Sequence, residues 1–552
     1  MSPSATLRER PRYGGQKGRG GFGSVRAYYA RHSWALDLTL LAILTIAAGV
    51  LRLVLLGEIP YGVHSDEAQL GTDARRILDG QLWSVYTTAV LGQPSGHAYL
   101  TLPSFLLLGW TPLAMRLPLA LVGLAAVPLL YAVVRQSFGR AEAFFASAML
   151  AVSYWHLFYS RVAHWSISYG TIILAVLLCL LYGMNTKKRA WFAAAGLFLG
   201  LGFYTYNIYP VAVVAVFAFL AIVTWTRYRG ADWRWWRGSM LLFIAVGSVV
   251  ALPMIVYVAD PDSFYWFHVR NYSEVSVWQT PEYQDKDLAG KIRLIFRQVD
   301  IFAGAYAYDE VPDYVDGNGD IRPMFDPATL ALLIVGLGFA WRERRRPVTI
   351  AALCCLFIIP LPAVLQNGSI MRQPIAAAPA AMFIAALPLA ALWRFGERSW
   401  REQRGAAVIA GLGVCVVLAL ITTTTVRDYF WTWRKDDLTR LIYFSEETTA
   451  SDYMRGLPDD AYVLFYSDHA PLYLETRQFL APDVEGEDRS RDFSNLNGSI
   501  EDVDRSRMNV FVLLDEYAGL LEEVEERYPG GTARTFMRDG KFEFNAYEVG
   551  PE

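Results

Sequence analysis

Apolar runs bounded by charged residues dominate the chain between residues 33 and 426. Eleven of them approach the roughly 20 residues that cross the hydrocarbon core of a bilayer. They lie at Ser33–Leu56, Trp110–Val134, Ala141–Leu157, Ser166–Met184, Ala190–Tyr204, Val211–Trp225, Ser239–Val258, Pro327–Ala340, Pro347–Leu365, Pro374–Trp393 and Ala406–Val426. The pattern predicts a polytopic α-helical membrane protein with about eleven transmembrane helices. The run His97–Gly109 is shorter and predicts an interfacial or re-entrant helix.

Lysine and arginine concentrate in alternate short loops, which predicts that those loops are cytoplasmic. The basic positions fall at Arg135 and Arg140, Lys187–Arg189, Arg227–Arg237, Arg342–Arg346 and Arg394–Arg404. Residues 1–32 are rich in Gly and Arg and predict a disordered basic cytoplasmic arm. The topology therefore predicts a multi-pass plasma-membrane protein with its N-terminus in the cytoplasm.

The tail after Val426 departs from this pattern. AYVLFYSD and NVFVLLDEY resemble buried strands, LLEEVEERYP a helix, and TARTFMRDGKFEFNAYEV a hairpin that turns at Asp539–Gly540. We predict three parts: the arm at 1–32, a transmembrane domain at 33–426, and an extracytoplasmic α/β domain at 427–552. The third would serve a structural or acceptor-guiding role.

Composition supports the membrane class and excludes others. The chain is 54% hydrophobic with a net charge of -3 and a mean hydropathy of +0.25. No nucleic-acid motif is present, and the four cysteines fall in apolar runs, so no disulfide is predicted. The stretch DGNGD, residues 316–320, has part of the calcium-loop spacing but lacks its sixth and twelfth residues, which favours a polar turn.

Asp66 and Glu67 directly follow the first apolar run, and two interpretations of them remain open. They can occupy the first turn of an amphipathic helix on the membrane surface, capped by Ser65, with Leu70, Ala74, Ile77 and Leu78 as its apolar stripe. They can also form an active site at the water interface. There a carboxylate can take the proton of an attacking hydroxyl.

Basic residues could hold a departing phosphate at the same interface. The topology places Arg161 and Arg372 on the outer side, although snorkelling at helix ends is the more common role for such residues. His97 and His164 are weaker candidates for substrate binding. No histidine pair has metal-ligand spacing, so no metal site is predicted. We assign Tyr204, Tyr206 and Tyr209 to an interfacial aromatic belt rather than a sugar platform.

Several stretches together resemble the GT-C glycosyltransferases, the class of protein O-mannosyltransferases and the aminoarabinose transferases that modify lipid A (glycosyltransferase family 39). HSDEAQLGTDARRIL is similar to the acidic DE motif of their first extracytoplasmic loop. The similarity continues through RLP, SFGR and YSR in order, and MRQPIAAAPAAMFIAALPL is similar to a later arginine-containing helix. The resemblance covers the first third of the chain well and the rest of the transmembrane part loosely. It hardly covers the tail after Val426.

The resemblance implies a sugar transfer from a polyprenyl-phosphate donor, on the extracytoplasmic face and with inversion. Asp66 matches the proposed catalytic carboxylate and Glu67 its partner, while Arg161 and Arg372 match basic positions on the phosphate side. The hydroxyl acceptor would belong to a protein, a lipid or an envelope glycan. No cofactor is required, although a divalent cation is possible. The alternatives are a transporter or flippase for lipid-linked sugars, and a non-catalytic anchor that presents the tail domain as a binding module.

Overall fold

The computed structural model describes residues 33–88, 92–274, 279–307, 322–365, 371–490, 500 and 503–551. Two compact units are present, Met1–Ile43 and Leu44–Glu552. The contacts reported below lie within the second unit. The predicted arm and the DGNGD stretch lie outside the described residues.

Helices fill the first three quarters of the described chain. They are α1 Ser33–Leu53, α2 Ser65–Leu78, α3 Gly96–Leu108, α4 Pro112–Arg135, α5 Arg140–Val152, α6 Tyr154–Arg161, α7 Ser166–Thr186, α8 Ala190–Gly202, α9 Tyr209–Arg227, α10 Trp233–Ala259, α11 Phe264–Glu274, α12 Pro281–Gln284, α13 Leu288–Ala307, α14 Pro327–Arg342, α15 Pro347–Ile358, α16 Leu361–Val364, α17 Ala378–Ser399 and α18 Arg404–Arg427. A short strand pair, β1 Tyr86–Thr87 and β2 Gln93–Pro94, joins α2 to α3.

All eleven predicted apolar runs contain helix, which confirms a polytopic helical membrane protein. Within the described ranges, however, eight helical segments are long and apolar enough to cross a bilayer. The runs that begin at Ala190 and Pro327 form shorter helices. The run predicted at Ala141–Leu157 is broken at Ser153, whose extended backbone ends α5 and whose hydroxyl caps α6.

The tail forms a mixed sheet packed between helices. Its further elements are α19 Asp437–Ile442, α20 Ser445–Met454, β3 Tyr462–Tyr466, α21 Glu475–Leu480, β4 Gly486–Asp488, β5 Asn509–Leu514, α22 Leu521–Arg527, β6 Thr532–Arg538 and β7 Lys541–Val549. The strand order is β4-β3-β5-β7-β6, with β4, β3 and β5 parallel and β7 and β6 antiparallel. Both faces of β5 are buried, which agrees with its unbroken apolar run from Val510 to Leu514.

The predicted elements of this tail are present, including the hairpin turn. Asp539 and Gly540 both have positive φ, as a two-residue type I′ turn requires. The sequence did not predict α20, α21 or β4. The predicted domain boundary at 426/427 stays a prediction.

The expectation of an interfacial aromatic belt was wrong for two of its three tyrosines, whereas the cysteines agree with their prediction. Tyr206 and Tyr209 are buried, rather than lying in an exposed aromatic belt. The Tyr204 hydroxyl donates to the carbonyl of Val250. Cys179, Cys354 and Cys355 are buried free thiols and Cys415 is an exposed one.

Candidate functional site

A tight turn leads into α2 and fixes the position of Asp66. Gly62 has φ +78°, and a Cβ at this position would overlap the carbonyl of Tyr443. His64, rather than the predicted Ser65, caps the helix, because its Nδ1 accepts from the Asp66 N–H at 3.1 Å. The Glu67 carboxylate accepts from the His64 N–H at 3.3 Å and completes a capping box.

Glu67 is held by three donors from two other segments. The Arg116 guanidinium donates from Nε and Nη2 to the two carboxylate oxygens at 2.9 and 2.8 Å. The backbone N–H of Ala163 donates at 2.6 Å. Glu67 is 2% exposed and Arg116 fully buried. Glu67 therefore ties α2 to α4 and to the loop after α6, and its lone pairs are occupied by protein donors.

Asp66 has a different environment from its neighbour. Its Oδ2 lies 3.2 Å from Nη1 of Arg372, and the side chain keeps 12% of its surface exposed. The carbonyl of Met371 accepts from the Trp155 indole at 3.1 Å, which fixes the backbone beside Arg372. The structure thus brings together two predicted site residues that are 306 positions apart in sequence.

His164 lies in the loop between α6 and α7, close enough for the charge of Arg372 to act on it. Its Nδ1 accepts from the backbone N–H of Ser166 at 3.1 Å, which places the imidazole proton on Nε2. Burial, together with the positive charge of Arg372, lowers the pKa of His164 well below its usual value. His164 is therefore a neutral ring with an Nε2–H donor, a suitable partner for an anion or a sugar oxygen.

Two other predicted site residues act within the helix packing. Arg161 is fully buried and donates to the carbonyls of Leu51, Leu55 and Ile59 at 3.0, 3.1 and 3.4 Å. Arg161 therefore stabilises the C-terminal end of α1 and the turn that follows it. This geometry does not support the predicted contact of Arg161 with a donor phosphate. His97 is 1% exposed, and its Nε2 pairs with the Ser168 hydroxyl at 2.7 Å, which joins α3 to α7.

The tail domain packs on the first turn and the apolar stripe of α2. Val63 donates its N–H to the Thr448 hydroxyl at 3.0 Å, and its carbonyl accepts from the Thr476 hydroxyl at 2.9 Å. Gly71 lies under the ring of Phe479 from α21. Leu70, Ala74 and Ile77 are buried, whereas Leu78 is half exposed. The expectation of a membrane-surface helix was wrong, because this stripe packs against protein.

The described side chains at the candidate site do not form a set of metal ligands. Among the described residues, no three His, Cys, Asp or Glu side chains come together as a metal would require. Glu67 is occupied by Arg116, and Asp66 faces a guanidinium. The arrangement does not fit a divalent cation held by this carboxylate pair.

Sequence reasoning missed Arg116, the residue that holds Glu67. Its signal was present, because an arginine inside the apolar stretch LAMRLPLALVG must find a partner when it is buried. The sequence could not identify that partner. The contact joins residues 49 positions apart.

Comparison with known proteins defines the class of the fold. Residues 92–257 match the family model described as dolichyl-phosphate-mannose-protein mannosyltransferase. ArnT from Cupriavidus metallidurans bound to undecaprenyl phosphate is similar with a TM-score of 0.55 and 14% identity, over 94% of this chain and 99% of that one. Its apo form gives a TM-score of 0.53 at 14% identity, over 95% of this chain and 100% of that one.

A second similar structure comes from a different organism. The Archaeoglobus fulgidus oligosaccharyltransferase, tethered with an acceptor peptide, gives a TM-score of 0.50 and 14% identity over 94% of this chain and 74% of that one. A comparison with curated proteins found no significant match. These likenesses confirm the GT-C fold predicted from the sequence.

Proposed function

We propose that this protein is an inverting glycosyltransferase that moves a sugar from a polyprenyl-phosphate donor to a hydroxyl acceptor on the extracytoplasmic face. One observation carries the proposal: the Asp66 carboxylate, whose side chain is 12% exposed, pairs with Arg372 at 3.2 Å. The GT-C fold and the family match support it. ArnT bound to undecaprenyl phosphate supports a lipid-linked donor in particular.

The chemistry needs one base and one anion site. Asp66 accepts the proton of the acceptor hydroxyl, and the oxygen attacks the anomeric carbon in the same step. The bond from that carbon to the phosphate oxygen breaks, and the lipid phosphate leaves as an anion. In this proposal, Arg372 and the Nε2–H of His164 stabilise the negative charge on this phosphate. Single displacement at the anomeric carbon inverts its configuration.

The neighbouring charged residues have supporting roles in this proposal. Glu67, with its lone pairs taken by Arg116 and Ala163, positions the first turn of α2 and takes no proton. Arg161 and His97 hold the surrounding helices. An extracytoplasmic tail and a cytoplasmic N-terminus follow from the basic loops. The sugar and the acceptor are not specified by these contacts.

The test is transfer by purified protein in lipid vesicles. Asp66→Asn should lower kcat at least 100-fold in protein that is still folded, because it removes the base but keeps the size of the side chain. Asp73→Asn is a matched control on the same helix and should retain transfer. Full activity of Asp66→Asn would refute the assignment. Movement of the lipid-linked sugar across the bilayer without transfer would instead favour the flippase alternative.

A further inference from the structure

Helix α13 presents a stripe of large apolar side chains that is not covered by protein. Leu288 and Phe296 are 75% and 68% exposed, and Ile292, Ile295 and Val299 are also exposed. At 3.6 residues per turn these five positions fall within one stripe roughly 100° wide. An exposed stripe of this kind marks an interaction surface.

A cationic residue flanks the stripe on each side, with the exposed Asp300 on the same side as Arg293. Lys291 and Arg293 lie roughly 100° from its centre in opposite directions. Arg293 is exposed, and the half-buried ammonium of Lys291 lies 5.3 Å from the ring of Tyr283. Apolar residues bordered by Lys and Arg are the pattern of a helix at an anionic lipid surface.

The C-terminal end of α13 is fixed to the candidate site. Tyr306 is buried, and its ring meets that of Trp155 at 4.9 Å between centroids. The Trp155 indole in turn donates to the carbonyl of Met371, the neighbour of Arg372. The carbonyl of Tyr306 accepts from the Phe325 N–H at 3.0 Å. The stripe therefore belongs to a helix that ends at the wall of the site.

We propose that the stripe of α13 docks onto a lipid surface with anionic head groups, at the end of the membrane where Asp66 lies. The chain before it leaves the apolar helix α10 at Ala259, and the chain after it enters the apolar helix α14 at Pro327. In sequence, α13 therefore lies between two apolar helices. A lipid surface also satisfies the flanking cations, which a purely apolar protein partner would not.

This contact has a consequence that rests on the proposed function. A helix bound to lipid head groups would hold the Tyr306–Trp155 wall beside the surface from which a lipid-borne donor arrives. Loss of the contact should then raise KM for the lipid donor and leave kcat nearly unchanged, because Asp66 and Arg372 stay in place.

Membrane depth measured in the full chain tests the docking without any activity assay. Single cysteines at Phe296 and Ile292, introduced with Cys415→Ser, would carry a spin label in vesicles of phosphatidylcholine with phosphatidylglycerol. Met537→Cys on β6 is an exposed control, and Ile409→Cys on α18 is a membrane control. The ratio of oxygen to water-soluble nickel-chelate collisions should be severalfold higher at 292 and 296 than at 537. Equal ratios at 296 and 537 would overturn the proposal.

A separate experiment tests the preference of α13 for anionic lipid. Lys291→Gln with Arg293→Gln should move the label at 296 toward water, and omission of phosphatidylglycerol should have the same effect. An unchanged ratio in both cases would refute the anionic preference. Phe296→Asp should raise the KM for the lipid donor severalfold. If the wild-type chain transfers no sugar, the depth measurement still decides the docking, so the two failures are distinguishable.

Discussion

The buried ion pair between Glu67 and Arg116 offers the sharpest test of how the site is built. Glu67→Gln would leave the Arg116 guanidinium buried without its counter-charge. The group still donates to the carbonyl of Gly62 at 2.7 Å and to that of Pro60 at 3.1 Å. Removing one partner of a buried pair costs about 3–5 kcal/mol. We expect a loss near the lower end of this range, because the glutamine amide oxygen can still accept one bond.

The loss should be measured by chemical denaturation of the detergent-solubilised chain, followed by intrinsic tryptophan fluorescence. A double-mutant cycle with Arg116→Met isolates the pair, and its coupling energy should be about 1–3 kcal/mol. Transfer activity should fall with stability, because Glu67 also fixes the turn that carries Asp66. Glu67→Gln with unchanged stability and unchanged transfer would refute the positioning role.

Two further changes test the packing of the tail domain. Gly71→Leu would place a side chain where the ring of Phe479 lies and should lower the free energy of unfolding by about 1–3 kcal/mol. Gly411→Leu is the control, because a Cβ at this position meets open space. Equal stabilities of the two variants would contradict the contact between Gly71 and Phe479. Burial, with the negative charges of Asp515 and Glu543, raises the pKa of Glu447 to about 8 from 4.5, so the folded state holds a proton that the unfolded state releases. Stability should fall as pH rises from 4.5 through about 8. Glu447→Gln should flatten this slope in thermal unfolding, and an unchanged slope would exclude Glu447 as its source.

The sequence predicted elements wherever the signal is local. A run of apolar residues near membrane-spanning length predicts a helix because each residue in the bilayer must satisfy its backbone within its own segment. The hairpin at Asp539–Gly540 and the strand at Asn509–Leu514 followed from turn chemistry and apolar pattern in the same way. The break at Ser153 was missed, because the apolar run continues across it.

The candidate site shows what the sequence alone could not predict. Asp66 and Glu67 are adjacent and chemically alike, and the sequence alone could treat them only as a pair. The tertiary structure gives the two carboxylates different environments. Glu67 accepts hydrogen bonds from Arg116 and Ala163, whereas Asp66 pairs with Arg372 and keeps 12% of its side chain exposed. The partners of a buried charge come from distant segments, and the stripe of α2 packs on a domain almost 400 residues away in sequence. Local pattern therefore determined where helices form and which residues carry charge, while long-range packing decided which charges remain available for chemistry.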